Sequence, residues 1–262
     1  MADFENILFE QANGIVTITL NRPEKYNALT EKVSQELIAA LKTIERDDGA
    51  RCVVLTGAGK GFCAGQDLTE VRDRGENFSL RDHLNQNYNK MVQSMRALEK
   101  PIIVAVNGAC AGAGFGLALA GDFRYASDSA KFLTAFIGIG LAPDTGVSYW
   151  LPRMIGPARA AEMLFTNERV DAETAAQIGI VNKVFAADEL MAETMKVAQH
   201  LAQSPTRGIG LSKRALNKSM GVTFDEMLDY EGHLQDVAAR TSDYVEGTSA
   251  FREKRKPQFT GR

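Results

Sequence analysis

One acid and two glycine-rich stretches hold most of the chemical capacity of this sequence. The acid is Asp144, in LAPDTG; the stretches are TGAGKGFCAGQDL, ending at Leu68, and NGACAGAGFGLALAGD, ending at Asp122. Each stretch follows an apolar run that reads as a buried strand, where α/β proteins turn backbone amides toward a ligand. Two separate loops, each supplying a free N–H, are what an oxyanion hole requires. Glycines would equally serve tight packing, and Pro-Asp-Thr-Gly is also good turn chemistry in which the Asp caps the next helix. Residue types alone leave these readings open.

Other sites are excluded. TGAGKGF lacks the Gly-Lys-Ser/Thr of a phosphate loop. A dinucleotide fingerprint on Gly112 and Gly114 would need glycine at 117, where Leu117 stands. His83, His200 and His233 fall in helical stretches and read as surface or packing residues. Neither a Ser-His-Asp arrangement nor metal-ligand spacing emerges. Asp67 with Glu70 reads as a helix cap and its capping-box partner. Asp122 reads as a buried structural acid. Asp-Thr-Gly is also an aspartic-protease triplet, but only one copy exists and Pro143 precedes it.

The surrounding pattern supplies the scaffold. Val16, Ile18 and Leu20 alternate as a strand, with Gly14 at its turn and residues 7–10 as hairpin partner. Thr30 caps a helix carrying Val33, Leu37, Leu41 and Ile44. Residues 52–55 and 102–106 are buried strands, and 123–125 and 181–184 are further strands. Ser79 opens one long helix with Leu84, Tyr88, Met91, Met95 and Leu98 on a stripe, stopped by Pro101. From 188 to 251 only helices are expected, broken at Pro205 and Gly221. The fold class is α/β, with residues 1–195 a mixed core and 196–262 a helical region of one integrated domain.

Composition fits a soluble globular protein. Thirty basic against 33 acidic residues give a net charge of −3, which does not favour nucleic acid. Cys52, Cys63 and Cys110 are odd in number and widely spaced, so neither disulfides nor zinc are expected. The segment MADFENILFE is acidic and lacks the apolar core of a signal peptide. No apolar run is long enough to span a membrane, and the terminal TGR is not a peroxisomal address; a cytoplasmic location is the expectation.

The blocks NRPEKYNAL, VVLTGAGKGFCAGQDL, PIIVAVNGACAGAGFGLALAGDFRYAS, IGIGLAPDTG, LPRMIGPARAAEMLFT and AAQIGIVNKVF resemble the enoyl-CoA hydratase/isomerase (crotonase) superfamily, in its order and spacing. The resemblance implies a spiral of ββα turns with a C-terminal helical trimerisation region. It implies an acyl-CoA substrate, a homotrimer or a hexamer built as a dimer of trimers, and no metal or other cofactor, because CoA enters as the substrate thioester. The thioester carbonyl would sit between the backbone N–H groups of Gln66 and Ala113, the latter opening an apolar helix whose dipole favours an anion. Ala64, Asp67, Leu68 and Gly112 would contact the CoA moiety, and Lys25 and the basic tail FREKRKP would hold its phosphates.

Hydratases of the family use two glutamates, and those positions resemble Gly116 and Phe136 here, neither able to carry a proton. Asp144 matches the acid of isomerases and other non-hydratase members. The resemblance therefore implies one proton shuttle: Asp144 takes a proton from the allylic carbon and returns it two carbons away. Phe115 and Phe136 would line the pocket and keep water out. LAPDTG, SPTRGIGLSKRALN, SDYVEGTSAF and KPQFTG are most similar to the ring-opening isomerases of phenylacetate degradation, which act on an epoxide of a dearomatised phenylacetyl-CoA. PDTGVSY is also similar to haloaryl-CoA dehalogenases, but Gln93 and Phe136 stand where those need histidine and tryptophan. A CoA- or RNA-binding relative without catalysis is disfavoured by the acidic charge balance and by Asp144.

Overall fold

The computed structural model describes residues 4–72 and 78–262. It opens with a hairpin of β1 (Ile7–Ala12) and β2 (Ile15–Leu20), closed by Asn13 and Gly14, both at positive φ as a tight hairpin turn requires. Thr30 then caps α1 (Glu31–Arg46), its hydroxyl accepting from Val33 N at 3.1 Å, and Val33, Leu37, Leu41 and Ile44 are buried as their spacing predicts.

The chain next repeats one unit three times. A strand of a large sheet is followed by a short strand of a second sheet: β3 (Cys52–Gly57) then β4 (Gly61–Cys63), β5 (Ile102–Val106) then β6 (Ala109–Ala111), β7 (Phe123–Ser127) then β8 (Lys131–Leu133). Helices α2 (Leu68–Arg72), α3 (Leu80–Gln86) and α4 (Tyr88–Ala97) follow the first pair. Helix α5 (Ala113–Leu119) follows the second, and α6 (Val147–Ile155) and α7 (Pro157–Thr166) follow the third. The edge strands β9 (Val170–Asp171) and β10 (Lys183–Phe185), separated by α8 (Ala172–Gln177), complete two sheets of order β1-β2-β3-β5-β7-β10 and β4-β6-β8-β9. This is the expected α/β spiral of ββα turns.

The large sheet is buried on both faces, which explains why its central strands read as unbroken apolar runs. Val53, Leu55, Ile102 and Val104 face the main core under α1 and α4; Cys52, Val54, Ile103 and Ala105 face a second cluster with Leu190, Ala198 and Ala202. Those last three lie on α9 (Leu190–Ala202), so a division at 195/196 passes through a helix that packs on the sheet. Helices α10 (Thr206–Ser219), α11 (Phe224–Ala238) and α12 (Ser242–Glu253) complete the chain. Arg51 ties the tail back, donating to Thr206 Oγ1 at 2.9 Å, Phe259 O at 3.0 Å and Ser204 O at 2.6 Å.

Three local readings change. The helix opened by Ser79 is interrupted at Asn87, whose amide donates to His83 O at 3.0 Å, and its buried side there carries His83 and Asn87, with Leu84 only half-buried. The strand expected at 181–184 lies at Lys183–Phe185. The helical tail has an additional break at 239–241, where Thr241 caps α12. Asp122 is structural but only partly buried: it accepts from Arg96 Nη1 at 3.0 Å, Lys213 Nζ at 2.8 Å and Ile102 N at 2.8 Å. It thereby ties α4, β5 and α10 together.

Candidate active site

β4, β6 and β8 are parallel neighbours, and each ends in one part of the site. Beyond β4, Leu29 N donates to Gly65 O at 2.7 Å and Asp67 N donates to Leu29 O at 2.8 Å. Both bonds belong to the neighbours of Gln66, so its own N–H faces the other way. Beyond β6, Ala113 is the first residue of α5, where an N–H has no partner within the helix. Among the described residues neither amide is bonded to a protein acceptor. Gly65 lets the two loops abut: its φ is +95°, and a Cβ there would lie 2.9 Å from Ala111 O.

Beyond β8 the chain turns through Ala135, at φ +65°, held by a bond from its N–H to Asn167 Oδ1 of 2.8 Å. Phe136 follows, and Asp144 lies after a short helical turn. Asp144 does not cap α6: that helix starts from Gly146 with no side-chain cap. Its Oδ1 instead accepts from the hydroxyl of its neighbour Thr145 at 2.7 Å, while Oδ2 has no partner among the described residues. Burial pushes the Asp144 carboxyl above its ordinary range, and the Thr145 hydroxyl and His83 pull it partly back.

A cavity of about 130 Å³ joins these parts. Ala64, Gln66, Leu68, Gly112, Ala113, Phe136 and Asp144 all line it, with Ile139 and Leu141 adding apolar wall. The structure corrects two expectations here, the pocket role of Phe115 and the capping box of Asp67 with Glu70. Phe115 does not line the cavity; its side chain is fully buried in the main core against Phe132, ring centroids 5.8 Å apart. Asp67 is also absent from the wall, because its carboxylate is committed to Arg22 at 2.9 Å and to Thr69 N–H and Oγ1–H at 3.2 and 2.6 Å. The capping box is incomplete, since the Asp67 N–H that Glu70 would accept donates to Leu29 O at 2.8 Å instead. Lys25 is exposed on the turn Pro23–Lys25, and the next residue, Tyr26, accepts through its carbonyl from Ala64 N at 2.9 Å, while Arg255 of the basic tail is paired with Glu246 and Glu253. Gln93 is exposed as well.

Sequence reasoning missed two participants. His83 is buried, unlike the exposed His200 and His233; its Nε2 lies 3.2 Å from Gln66 Nε2 and its Nδ1 3.1 Å from Glu31 Oε1. The signal was the His83–Asn87 spacing, one helical turn beside Tyr88. Thr145 is the second. It is buried and β-branched yet held at φ +51°, a conformation costing about 1–3 kcal/mol that surrounding structure must impose. No cluster of metal-ligating side chains occurs among the described residues. Burial pushes the Cys63 thiol up to about 12 and raises that of Cys110 as well, so neither is a nucleophile.

A profile of the enoyl-CoA hydratase/isomerase family matches residues 10–262. The chain belongs to this family. It is 46% identical to the 1,2-epoxyphenylacetyl-CoA isomerase of Escherichia coli K12, over 98% of this chain and 99% of that one. It is 39% identical to a probable enoyl-CoA hydratase of Rhodobacter capsulatus, over 99% of each. Its fold superposes with a TM-score of 0.91 on a putative enoyl-CoA hydratase/isomerase of Mycobacterium abscessus, at 38% identity and covering 98% and 100% of the two chains. Gly116 and Phe136 are the two positions that the resemblance sets against the glutamates of hydratases. Phe136 fills one with a largely buried ring. At the other, a Cβ on Gly116 would lie 2.6 Å from Thr145 O and 2.7 Å from Thr145 Cβ, so Thr145 occupies the space a side chain would need.

Proposed function

We infer that this enoyl-CoA hydratase/isomerase family member is an acyl-CoA isomerase working with Asp144 alone. The observation that carries the reading is the Asp144 carboxylate, with one unpartnered oxygen, in an apolar cavity that also receives the unbonded amides of Gln66 and Ala113. Asp144 removes a proton from the allylic carbon next to the thioester carbonyl. The C–H electron pair moves into a dienolate whose oxygen is held by Gln66 N–H and Ala113 N–H. The protonated Asp144 then returns the same proton two carbons away, the electrons flow back from oxygen, and the double bond has moved. A raised carboxyl affinity for protons suits both steps. Net hydration would need a second group to activate water, and Gly116 and Phe136 supply none.

The substrate is an unsaturated or dearomatised ring acyl-CoA of phenylacetate degradation, in which the same dienolate chemistry opens an epoxide ring. The 46% identity to the epoxyphenylacetyl-CoA isomerase and the compact wall of Phe136, Ile139 and Leu141 support it. No resident cofactor takes part, since the proton cycle balances without one and CoA arrives as the thioester. Lys25 and the basic tail are the groups assigned to the CoA phosphates. A groove of about 980 Å³ along α10 and α11, with exposed Leu216, Phe224 and Leu228 on the same helices, supports self-association, which the resemblance to the family makes a homotrimer or a dimer of trimers.

The test is turnover of a 3-enoyl-CoA, followed by the rise in conjugated-thioester absorbance. Asp144→Asn should lose several orders of magnitude in kcat and keep its affinity for CoA. Equal turnover in both proteins would remove Asp144 from the chemistry.

A further inference from the structure

Thr145 is buried, in a backbone conformation that a β-branched residue adopts only under constraint, and its hydroxyl is spent on Asp144 Oδ1 at 2.7 Å. A glycine at 145 would adopt φ +51° freely but would leave Oδ1 without its donor. The space that Thr145 occupies exists because residue 116 has no side chain: a Cβ there would come within 2.7 Å of Thr145 Cβ and 2.9 Å of its Cγ2. Gly146, at φ +82°, continues the same tight turn into α6. Among the described residues the Asp144 carboxylate is thus held by its own neighbour alone.

We propose that Thr145 is a positioning residue that commits Oδ1 of Asp144 and leaves Oδ2 as the one oxygen that carries the proton out and back. This rests on the reading of Asp144 as the proton carrier. In the first step the allylic C–H breaks, the new O–H forms at Oδ2, and the electron pair enters the dienolate. In the second, the Oδ2–H bond breaks, a C–H bond forms at the far carbon, and the pair returns from the thioester oxygen. The Thr145 O–H···Oδ1 bond persists through both, because Oδ1 remains an acceptor whether or not Oδ2 is protonated. The carboxyl therefore need not rotate between the steps, and both transfers occur on one face of the substrate.

Among the described residues Asp144 is the one titratable side chain lining the cavity, and the charge bearing on it from a packed element is His83 of α3. Thr145→Val removes the donor and keeps the shape; Thr145→Ser keeps the donor. Valine should lower kcat by about 10- to 100-fold, as expected for a misoriented catalytic group, with KM nearly unchanged. It should also move the acid limb of the kcat/KM profile to higher pH, since the hydroxyl favours the ionised carboxylate. Serine should retain wild-type kcat and limb. A valine variant with the wild-type pH limb and kcat, or a serine variant as impaired as valine, overturns the proposal. Asp144→Asn, run beside them, separates the two readings. If it stays active, the proton-carrier assignment fails and the role of Thr145 with it; if it is inactive while valine behaves as wild type, only the role of Thr145 fails.

Discussion

Substituting Gly116 by alanine places one methyl group where α5 meets the turn that carries Asp144. The new Cβ would stand 2.6 Å from Thr145 O, 2.7 Å from its Cβ and 2.9 Å from its Cγ2, all closer than side chains approach in folded proteins. None of these is the far end of a flexible chain, so the turn or the helix must shift. Overpacking of this kind costs about 1–3 kcal/mol. With an unfolding entropy of about 2.1 cal/mol/K per residue, a chain this long loses about 2–5 °C in Tm. The functional cost should be larger than the thermal one. A displacement of about 1 Å in a catalytic group lowers turnover by about 100-fold. Scanning calorimetry and 3-enoyl-CoA turnover of Gly116→Ala measure both quantities on one preparation. Wild-type Tm together with wild-type kcat would show that the contact is slack and that Thr145 does not fix the acid.

Two further outcomes follow from buried charge. Asp144 has a folded-state affinity for protons above that of the unfolded chain, so its ionisation opposes folding at neutral pH. Asp144→Asn should therefore raise Tm at neutral pH, and the difference should shrink as pH falls through the raised carboxyl pKa toward the ordinary value near 3.9; a constant difference across that range would contradict the desolvation. Asp122→Ala strands Lys213, only 5% exposed, and Arg96 without their carboxylate, which should cost about 3–5 kcal/mol, or about 5–9 °C in Tm, with kcat per folded molecule unchanged.

The long elements were legible because their burial is periodic. Val53 and Leu55 alternate with Cys52 and Val54 between two cores, and the α1 stripe recurs each helical turn. The second sheet was not legible. Its strands β4, β6 and β8 are three residues each, the first two inside glycine-rich stretches, and all are too short for any period to register. Asp144, Gln66 and Ala113 could be named in advance because an ordered set of motifs surrounds them, and the structure brings all three to one cavity. Phe115 was expected beside Phe136 in the pocket, but it lies two residues beyond Ala113, and two residues along a helix turn a side chain by more than half a revolution, here into the core. His83 carried only the spacing to Asn87, since its partners Gln66 and Glu31 lie far away in the chain, and the hydroxyl of Thr145 reaches Asp144 through a backbone angle that its residue type does not announce.

Gln66, Ala113 and Phe136 each stand just beyond the end of a strand, and those strands are adjacent rungs of one parallel ladder. Backbone hydrogen bonding sets the rung spacing at about 4.8 Å whatever side chains the strands carry. The distance between the two amides is accordingly set by the ladder, together with Gly65, whose missing Cβ lets the two loops abut. What the third rung presents is free to vary, because the segment after β8 is irregular and long enough to bring an acid from outside the strand. A scaffold of this kind has a fixed gauge for an anion and an interchangeable tool beside it, so new reactions can arise by changing a few residues of one segment while the anion gauge stays untouched.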